Sequence, residues 1–407
     1  MRRASLVFAI ACAVAACARD DAATPVAPQP GDVSVAAKGG HSPRTLAEGK
    51  EIFRFDTFGD ETFWTDTLRM HEVIRTSVSP NTALSVGLKV DADALPEAVK
   101  TAIQTKGVDL NAPATTVTLI KLGAVVGVRG DVDDNGVLQR VGITCAFCHS
   151  TVDNSFMPGI GRRLDGWPNR DLDVGAIVSL SPVLTPAQKM VYGSWGPGMY
   201  DPRFNIDGKN MPVVIPPAFG LRRVAREIYT GDGPVSYWNA YVAITQMHGH
   251  GHFADPRIGV DVDNTPPDLV SSKLAALREY QFSLDAPEPI AGTFDERAAR
   301  RGRAVFNGVA KCATCHLAGS LSDVNAGRLH PAAEVGQDPA YAERSATKLY
   351  RTTPLRGLWH PPQLKGPYFH DGKAATLDDA VEHYVALFNL ELSDRQKRDL
   401  VEYLKTL

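Results

Sequence analysis

Apolar and polar positions repeat along this chain in more than one period, and the changes of period divide it. Residues 4–17 (ASLVFAIACAVAAC) are a near-continuous apolar run behind Arg2 and Arg3, too short to cross a bilayer as a helix and ending in small residues. Residues 18–43 are Ala, Pro, Gly and small polar types with no periodic apolar face, which predicts a flexible tether. Helical periodicity starts near Thr45. TLAEGKEIF carries Gly49 and Phe53 on one helix face, and ERAARRGRAVF repeats the spacing with Gly302 and Phe306. The stretch AVVGVRGDVDDNGVLQRVGITCAFCH switches to a strand, an acidic turn and a second strand.

A second echo lies downstream of each half. IPPAFGLRRVAREIYTGDGPVSYWNAYVAI and TTPLRGLWHPPQLKGPYFHDGKAATLDDAVEHYVAL share a proline-led turn, Gly-Leu, a DG turn and a helix centred on Tyr-Val-Ala. This puts Tyr241 and Tyr384 at corresponding places. Two echoes in the same order predict a mainly α, duplicated architecture. The copies differ in one respect: Gly302 precedes Cys312 by 10 residues, whereas Gly49 precedes Cys145 by 96. The first copy therefore carries a mixed α/β insertion, about residues 55–140, that contains the predicted β-hairpin. DPRIGV and SSKLAALREYQF read as helical and lead into the linker SLDAPEPIAG near 283–292. The expected division is a leader over 1–16, a tether over 17–43, a first unit over 44–286 and a second over 287–407.

Composition adds limits. With 407 residues, 44% hydrophobic and 22% charged, the chain has ordinary globular content. Its net charge of −3 becomes two units more negative if the leader is removed with Arg2 and Arg3. That balance offers no general attraction for nucleic acid, and the arginine runs at 222–226 and 297–303 read as solvated helix faces. The leader reads as an export signal. Val14-Ala15-Ala16-Cys17 resembles the lipobox at which bacterial lipoproteins are cut and acylated, so the expected location is the periplasm or outer cell surface, with a lipid on Cys17 as the membrane attachment. An ordinary secretory signal is the plainer alternative.

With Cys12 and Cys17 in the leader and anchor, the remaining cysteines are Cys145, Cys148, Cys312 and Cys315. Each pair is followed by a histidine, His149 and His316, giving two CxxCH motifs and leaving no thiol for a structural disulfide. CxxCH is the sequence form of c-type haem attachment: two thiols form thioethers with the porphyrin and the adjacent imidazole is the proximal iron ligand. A redox cysteine pair needs no histidine, and a zinc site needs four converging ligands. Two covalently bound haem c groups are therefore expected.

Function then turns on the sixth ligands. A Met or His closes the iron for electron transfer, while an open position admits peroxide or oxygen. No methionine follows Met247, so the second haem can draw on His330, His360, His370, His383 and Tyr384, with Tyr384 and His383 foremost. A phenolate there favours oxidised iron. The first haem has Met157, Met190, Met199, Met211, Met247 and His248, of which Met211, in the setting NMP, and the Met247–His248 pair stand out; core filling is the plain role for most of these methionines. MHGHGHF has the look of a metal tract, although a pocket or solvent-facing flexible loop is the plainer reading. DVDDNG starts like an EF-hand loop through Asp131, Asp133 and Asn135, but Gly142 stands where a bidentate Glu is required, which leaves an acidic hairpin turn. Trp167, Trp195 and Trp238 lie between the motifs; an indole between two porphyrins can relay an electron, and buried packing is its default. Trp195 is the favoured relay.

Residues 350–384, YRTTPLRGLWHPPQLKGPYFHDGKAATLDDAVEHY, resemble the signature that follows the second haem site in the bacterial di-haem cytochrome c peroxidase superfamily, which includes the methylamine-utilisation (MauG-like) enzymes: a TPxLR turn, PYFHDG and TLxxAV. The resemblance is specific over 296–407 and looser elsewhere. It implies two c-type cytochrome domains packed face to face, with one haem passing electrons and the other meeting hydrogen peroxide. Peroxidases of this kind carry a Met on the helix after TLxxAV; the methylamine-utilisation enzymes are similar to this chain in placing a tyrosine there, which singles out Tyr384. The resemblance also implies a calcium ion held through a T-x-P turn, matching Thr352 and Pro354. The insertion and MHGHGHF depart from the peroxidase pattern.

The resulting expectation is an exported di-haem c-type cytochrome that transfers electrons with a small redox protein. One alternative is a peroxidase or oxidase with one open haem, taking hydrogen peroxide or another small oxidant, with His248, His370 and Trp195 as candidate catalytic residues. Another is a haem sensor or partner subunit without catalysis.

Overall fold

Two tight helix crossings frame the computed structural model, which describes residues 42–359 and 366–407. The leader, Cys17, almost all of the tether and His360 lie outside the described residues. The opening helix, Pro43–Phe55, begins two residues ahead of Thr45, with proline in its first turn where a missing N–H costs nothing. It packs on the helix Leu274–Ser283. Gly49 marks the crossing, because a Cβ there would overlap the Ala276 carbonyl oxygen. One turn on, Phe53 is buried edge-on to Tyr280, with ring centroids 5.5 Å apart. The helix Glu296–Asn307 crosses Asp394–Leu404 in the same way: a Cβ on Gly302 would overlap the Asp399 carbonyl oxygen, and Phe306 lies edge-on to Tyr403 at 5.2 Å.

The segment after Phe55 is mixed. Short helices, among them Met70–Ser77 and Pro113–Lys121, pack against a ribbon in which Val128–Val132 runs antiparallel to Leu138–Ile143. Val128, Leu138 and Val141 bury one face of the ribbon with Val117, Ile120 and Phe147. At its tip Asp133 accepts the amides of Asn135 and Val137, each at 2.9 Å, so its carboxylate closes a turn. The second strand runs directly into Cys145, and the Thr144 amide is held by the Gly127 carbonyl at 3.0 Å. The ribbon thereby delivers the first CxxCH.

Three expectations change. DPRIGV is a single 3₁₀ turn, Pro256–Ile258, joining the antiparallel strands His252–Asp255 and Val260–Asp263. Alternating burial along those strands supports a ribbon, where helical spacing would need buried positions three and four apart. MHGHGHF is tied down: the His250 amide donates to the Phe58 carbonyl at 2.8 Å, and the Asn264 amide group donates to the Gly249 carbonyl at 3.0 Å. Residues 222–226 form turns, following Pro216, Pro217 and a left-handed Gly220. Their arginines cap carbonyls, Arg222 that of Phe282 at 3.1 Å and Arg226 that of Gly231 at 3.1 Å.

Segments that the sequence assigns to the first and second units, here called the two halves, meet through similar turns. Residues 227–233 and 368–374 are each closed by an antiparallel bridge, Glu227 with Gly233 and Tyr368 with Ala374. Ile228 and Phe369 occupy the same left-handed backbone region, at φ 62° and 66°. Each half donates one backbone amide to the other half's turn, Val214 to the His370 carbonyl and Arg351 to the Tyr229 carbonyl, both at 2.8 Å. Ion pairs, most of them buried, flank this seam. Arg344 reaches Asp201 at 2.9 Å and Asp207 at 2.6 Å, and Arg351 reaches Glu227 at 2.8 Å.

Arg344→Ala would leave Asp201 buried without its cation, so a destabilisation of about 3–5 kcal/mol is expected in denaturant unfolding of the purified protein. Gly302→Ala forces the tighter crossing apart and is expected to cost about 1–3 kcal/mol in the same assay.

Candidate functional site

Both CxxCH motifs sit on abrupt changes of backbone direction. The first leaves the ribbon as a one-turn helix, Ala146–His149; the second follows the Glu296–Asn307 helix through a left-handed Lys311 into the 3₁₀ turn Cys312–Thr314. In each, the histidine amide donates to the carbonyl of the first cysteine, at 3.1 Å for His149 and 3.0 Å for His316. Each histidine therefore returns to its own cysteine pair.

The imidazoles are oriented by carbonyls. His149 Nδ1 lies 3.1 Å from the Pro216 oxygen and His316 Nδ1 lies 2.9 Å from the Leu321 oxygen. A carbonyl only accepts, so Nδ1 carries the proton and Nε2 keeps its lone pair for a metal. Burial lowers the His149 pKa to about 4 and lowers that of His316, against the opposing pull of these hydrogen bonds, so both rings are neutral at pH 7. Burial also pushes the thiols of Cys145 and Cys148 up to about 12 and that of Cys312 to about 11. A reactive redox pair requires the opposite, a thiol lowered by nearby positive charge. The four cysteines form no disulfide.

The motifs open into one shared cavity of about 1120 Å³. Single small-molecule sites occupy about 300–1,000 Å³, so this cavity lies just beyond the upper end of that range. Cysteine sulfurs, tautomer-fixed imidazoles and an apolar wall that includes Phe63, Val214 and Leu377 suit a covalently attached macrocycle at each motif. The residues present fit haem c.

The other predicted ligands separate clearly. Tyr384, on the helix Leu377–Leu387, faces the cavity, and burial pushes its phenol up to about 12, with the neighbouring Cys315 and Cys312 as lesser causes. His383 turns away, with Nε2 at 3.2 Å from the Val335 carbonyl. His330 stands outside the lining, its Nε2 at 3.0 Å from both Asp323 and Thr352 Oγ1 and its Nδ1 at 3.0 Å from Glu334. Cys315, Asp323 and His330 do converge as a set of metal-donor types, but Cys315 belongs to the second motif and His330 is already engaged by Asp323. His370 lines the cavity between Tyr350, whose hydroxyl is 3.3 Å from Nε2, and Gln337, whose Oε1 is 3.2 Å from Nδ1.

On the side of the first motif, Met247 and His248 line the cavity. His248 stacks on Phe63 at 3.7 Å, and burial lowers its pKa to about 4. Phe63 lies in the widened π-helical turn Thr62–Thr67, and His248, at a left-handed φ of 65°, follows a second such turn, Val242–Gln246, capped by Met247. Met211 is elsewhere, packed near Tyr341 and Tyr350 with its amide on Asp201 at 2.6 Å. Met157 packs in the core around the ribbon, Met190 is 72% exposed, and Met199 pairs with Val214 in a short strand. Tyr241 does not mirror Tyr384; its hydroxyl donates to the Pro202 carbonyl at 2.7 Å, outside the cavity lining.

Trp195 and Trp238 line the cavity, with Trp195 Nε1 donating to Asn210 at 2.8 Å, whereas Trp167 packs edge-on to Phe219 outside the lining. The three histidines of MHGHGHF do not converge: His248 faces inward, and His252 pairs with Asp261 at 2.8 Å. Thr352 and Pro354 line the cavity, and the Thr352 carbonyl accepts the Ser322 hydroxyl at 2.5 Å. Sequence reasoning overlooked Trp64, Arg170, Glu227 and Arg351, all in the lining. Nothing in their local sequence distinguishes them from ordinary core or surface positions.

No family model matches the chain. It is 31% identical over 160 residues to the methylamine utilization protein MauG of Methylorubrum extorquens, across 34% of this chain and 43% of that protein. It is 28% identical over 151 residues to the cytochrome-c peroxidase IdrP1 of Denitromonas iodatirespirans, across 27% of this chain and 40% of that protein. The matches thus span about two fifths of each curated relative. Among solved structures, a hydrazine synthase of Kuenenia stuttgartiensis is similar at 20% identity and a TM-score of 0.34, covering 48% of this chain and 72% of that one. A MauG-like protein associated with microbial copper homeostasis gives 18% and 0.33, covering 49% and 74%. The two curated matches accord with the resemblance carried by residues 350–384 and, at modest identity, support a likeness to the MauG-like di-haem cytochrome c peroxidases.

Proposed function

We propose that this protein is an exported di-haem c-type cytochrome, built from two duplicated haem units, that passes electrons between a small redox protein and a second acceptor. The observation carrying this reading is the single cavity into which both CxxCH motifs open, each with an imidazole whose Nε2 is free to bind metal. Cys145 and Cys148 hold one macrocycle through their sulfurs, and Cys312 and Cys315 hold the other. His149 and His316 present neutral nitrogen donors, kept in orientation by Pro216 and Leu321. Haem c, when bound, supplies reversible one-electron chemistry at iron. The chain's own part is to exclude water with its apolar lining and to set the ligand on the open side of each metal: Tyr384 by the second motif, Met247 or His248 by the first. Export by the N-terminal leader and lipid attachment at Cys17 belong to the same reading, since covalent haem and the cysteine usage both suit an extracytoplasmic compartment.

Purified from a host competent in cytochrome maturation, the protein is expected to retain two equivalents of haem through denaturation and acidic organic extraction. Pigment that leaves the polypeptide, or a lower count, sinks the proposal.

A second reading, peroxide reduction, is favoured by the unlike side chains presented to the two motifs. A hard phenol faces the second, suited to oxidised iron, and a thioether with an imidazole faces the first. One relative is named as a cytochrome-c peroxidase. On this reading the reduced protein is reoxidised by hydrogen peroxide within seconds; spectra unaltered by both peroxide and carbon monoxide would eliminate it. Tyr384→Phe is expected to change the absorption and paramagnetic resonance signals of the second haem alone. An unchanged spectrum would remove Tyr384 as a ligand.

A further inference from the structure

Among the described residues, Arg170 has no anionic partner although part of its guanidinium is buried. It lies in the turn after the first motif, where the Asn169 amide donates to the Cys148 carbonyl at 2.9 Å and the Asn169 side chain donates to the Gly87 carbonyl at 2.9 Å. Gly198 packs against the Arg170 backbone from the other side, so the side chain starts from a fixed point. That side chain lines the shared cavity. Its Nε and Nη1 atoms are shut off from solvent and have no hydrogen-bond partner among the described residues. Other buried arginines are paired: Arg203 with Asp232, Arg344 with Asp201, Arg351 with Glu227. The group bearing on Arg170 is Tyr229, a neutral phenol whose hydroxyl is already given to the Val214 carbonyl at 2.8 Å.

A guanidinium keeps its charge at any pH a protein meets, so Arg170 cannot relieve its burial by losing a proton. The remaining solution is an anion delivered by whatever fills the cavity. We propose that Arg170 anchors a propionate carboxylate of the haem held by Cys145, Cys148 and His149. This rests on the di-haem reading and deepens it. The planar fork of the guanidinium matches a carboxylate in two parallel hydrogen bonds. The amide of the adjacent Asn169 donates to the Cys148 carbonyl at 2.9 Å, which places Arg170 beside the first motif. A fixed positive charge there favours the reduced metal, which carries one positive charge fewer, so Arg170 holds the potential of the first haem above the value it would have beside a neutral side chain.

The test is a spectroelectrochemical titration of the haem-loaded full chain, with each iron followed by its own paramagnetic resonance signal. Arg170→Gln is expected to move the midpoint of the first haem to a more negative value and leave the second in place. Unmoved midpoints, or a shift confined to the second haem, overturn the assignment. Arg170→Lys keeps the charge but loses the fork, so its midpoint should stay nearer wild type while the propionate bending band in the resonance Raman spectrum shifts. If Arg170→Gln does not accumulate, an unshifted band in Arg170→Lys overturns the proposal by itself. Two covalent haems with midpoints insensitive to Arg170 refute this inference alone, whereas a wild-type chain without covalent haem refutes the functional reading as well.

Discussion

The site exists because the two halves are held in register, and two exchanged backbone hydrogen bonds do that at its centre. Val214 donates to the turn containing His370, and Arg351 donates to the turn containing Tyr229. Each such bond contributes only about 0.5–1.5 kcal/mol net. Their importance is geometric: Val214, Tyr229, Arg351 and His370 all line the cavity, so sliding one turn past the other would dismantle its wall. The flanking pairs Arg344–Asp201 and Arg351–Glu227 make such sliding costly, because each movement would strand a buried charge.

Inside that wall, low dielectric sorts the ionisable groups by whether they can give up charge. His149, His316 and His248 lose their protons and become lone-pair donors. The thiols and Tyr384 keep theirs. Arginine has no neutral form to adopt, so every buried guanidinium must find a partner in the chain or in what the chain binds. One physical effect thus prepares soft and neutral ligands for metal while leaving a demand for negative charge at Arg170.

Much of the frame was legible because its chemistry is local. A CxxCH must be contiguous to act, and Gly49 with Phe53, or Gly302 with Phe306, encodes a close crossing in a single helix turn. Their partner helices were not legible, because the contact is to the backbones of Ala276 and Asp399, which any side chain would supply. Counting residues misled at Tyr241. From the matched turn, Glu227 to Tyr241 is 14 residues and Tyr368 to Tyr384 is 16. Two residues are about 200° of helix rotation, enough to send one phenol into the cavity and the other to the Pro202 carbonyl. His383 and Tyr384, both foremost among the candidates read from sequence, are separated by about 100° of the same helix. Arg170 was invisible for a different reason: its meaning comes from a missing partner, and sequence does not record which partners are missing.

The two imidazoles are tethered over very different reaches. His316 leans on a carbonyl five positions along its own loop, while the carbonyl that steers His149 belongs to Pro216, 67 positions away and two beyond Val214. The orientation of the first ring therefore depends on the long-range folding that returns Pro216 to the first motif, whereas the second ring is oriented within its own loop.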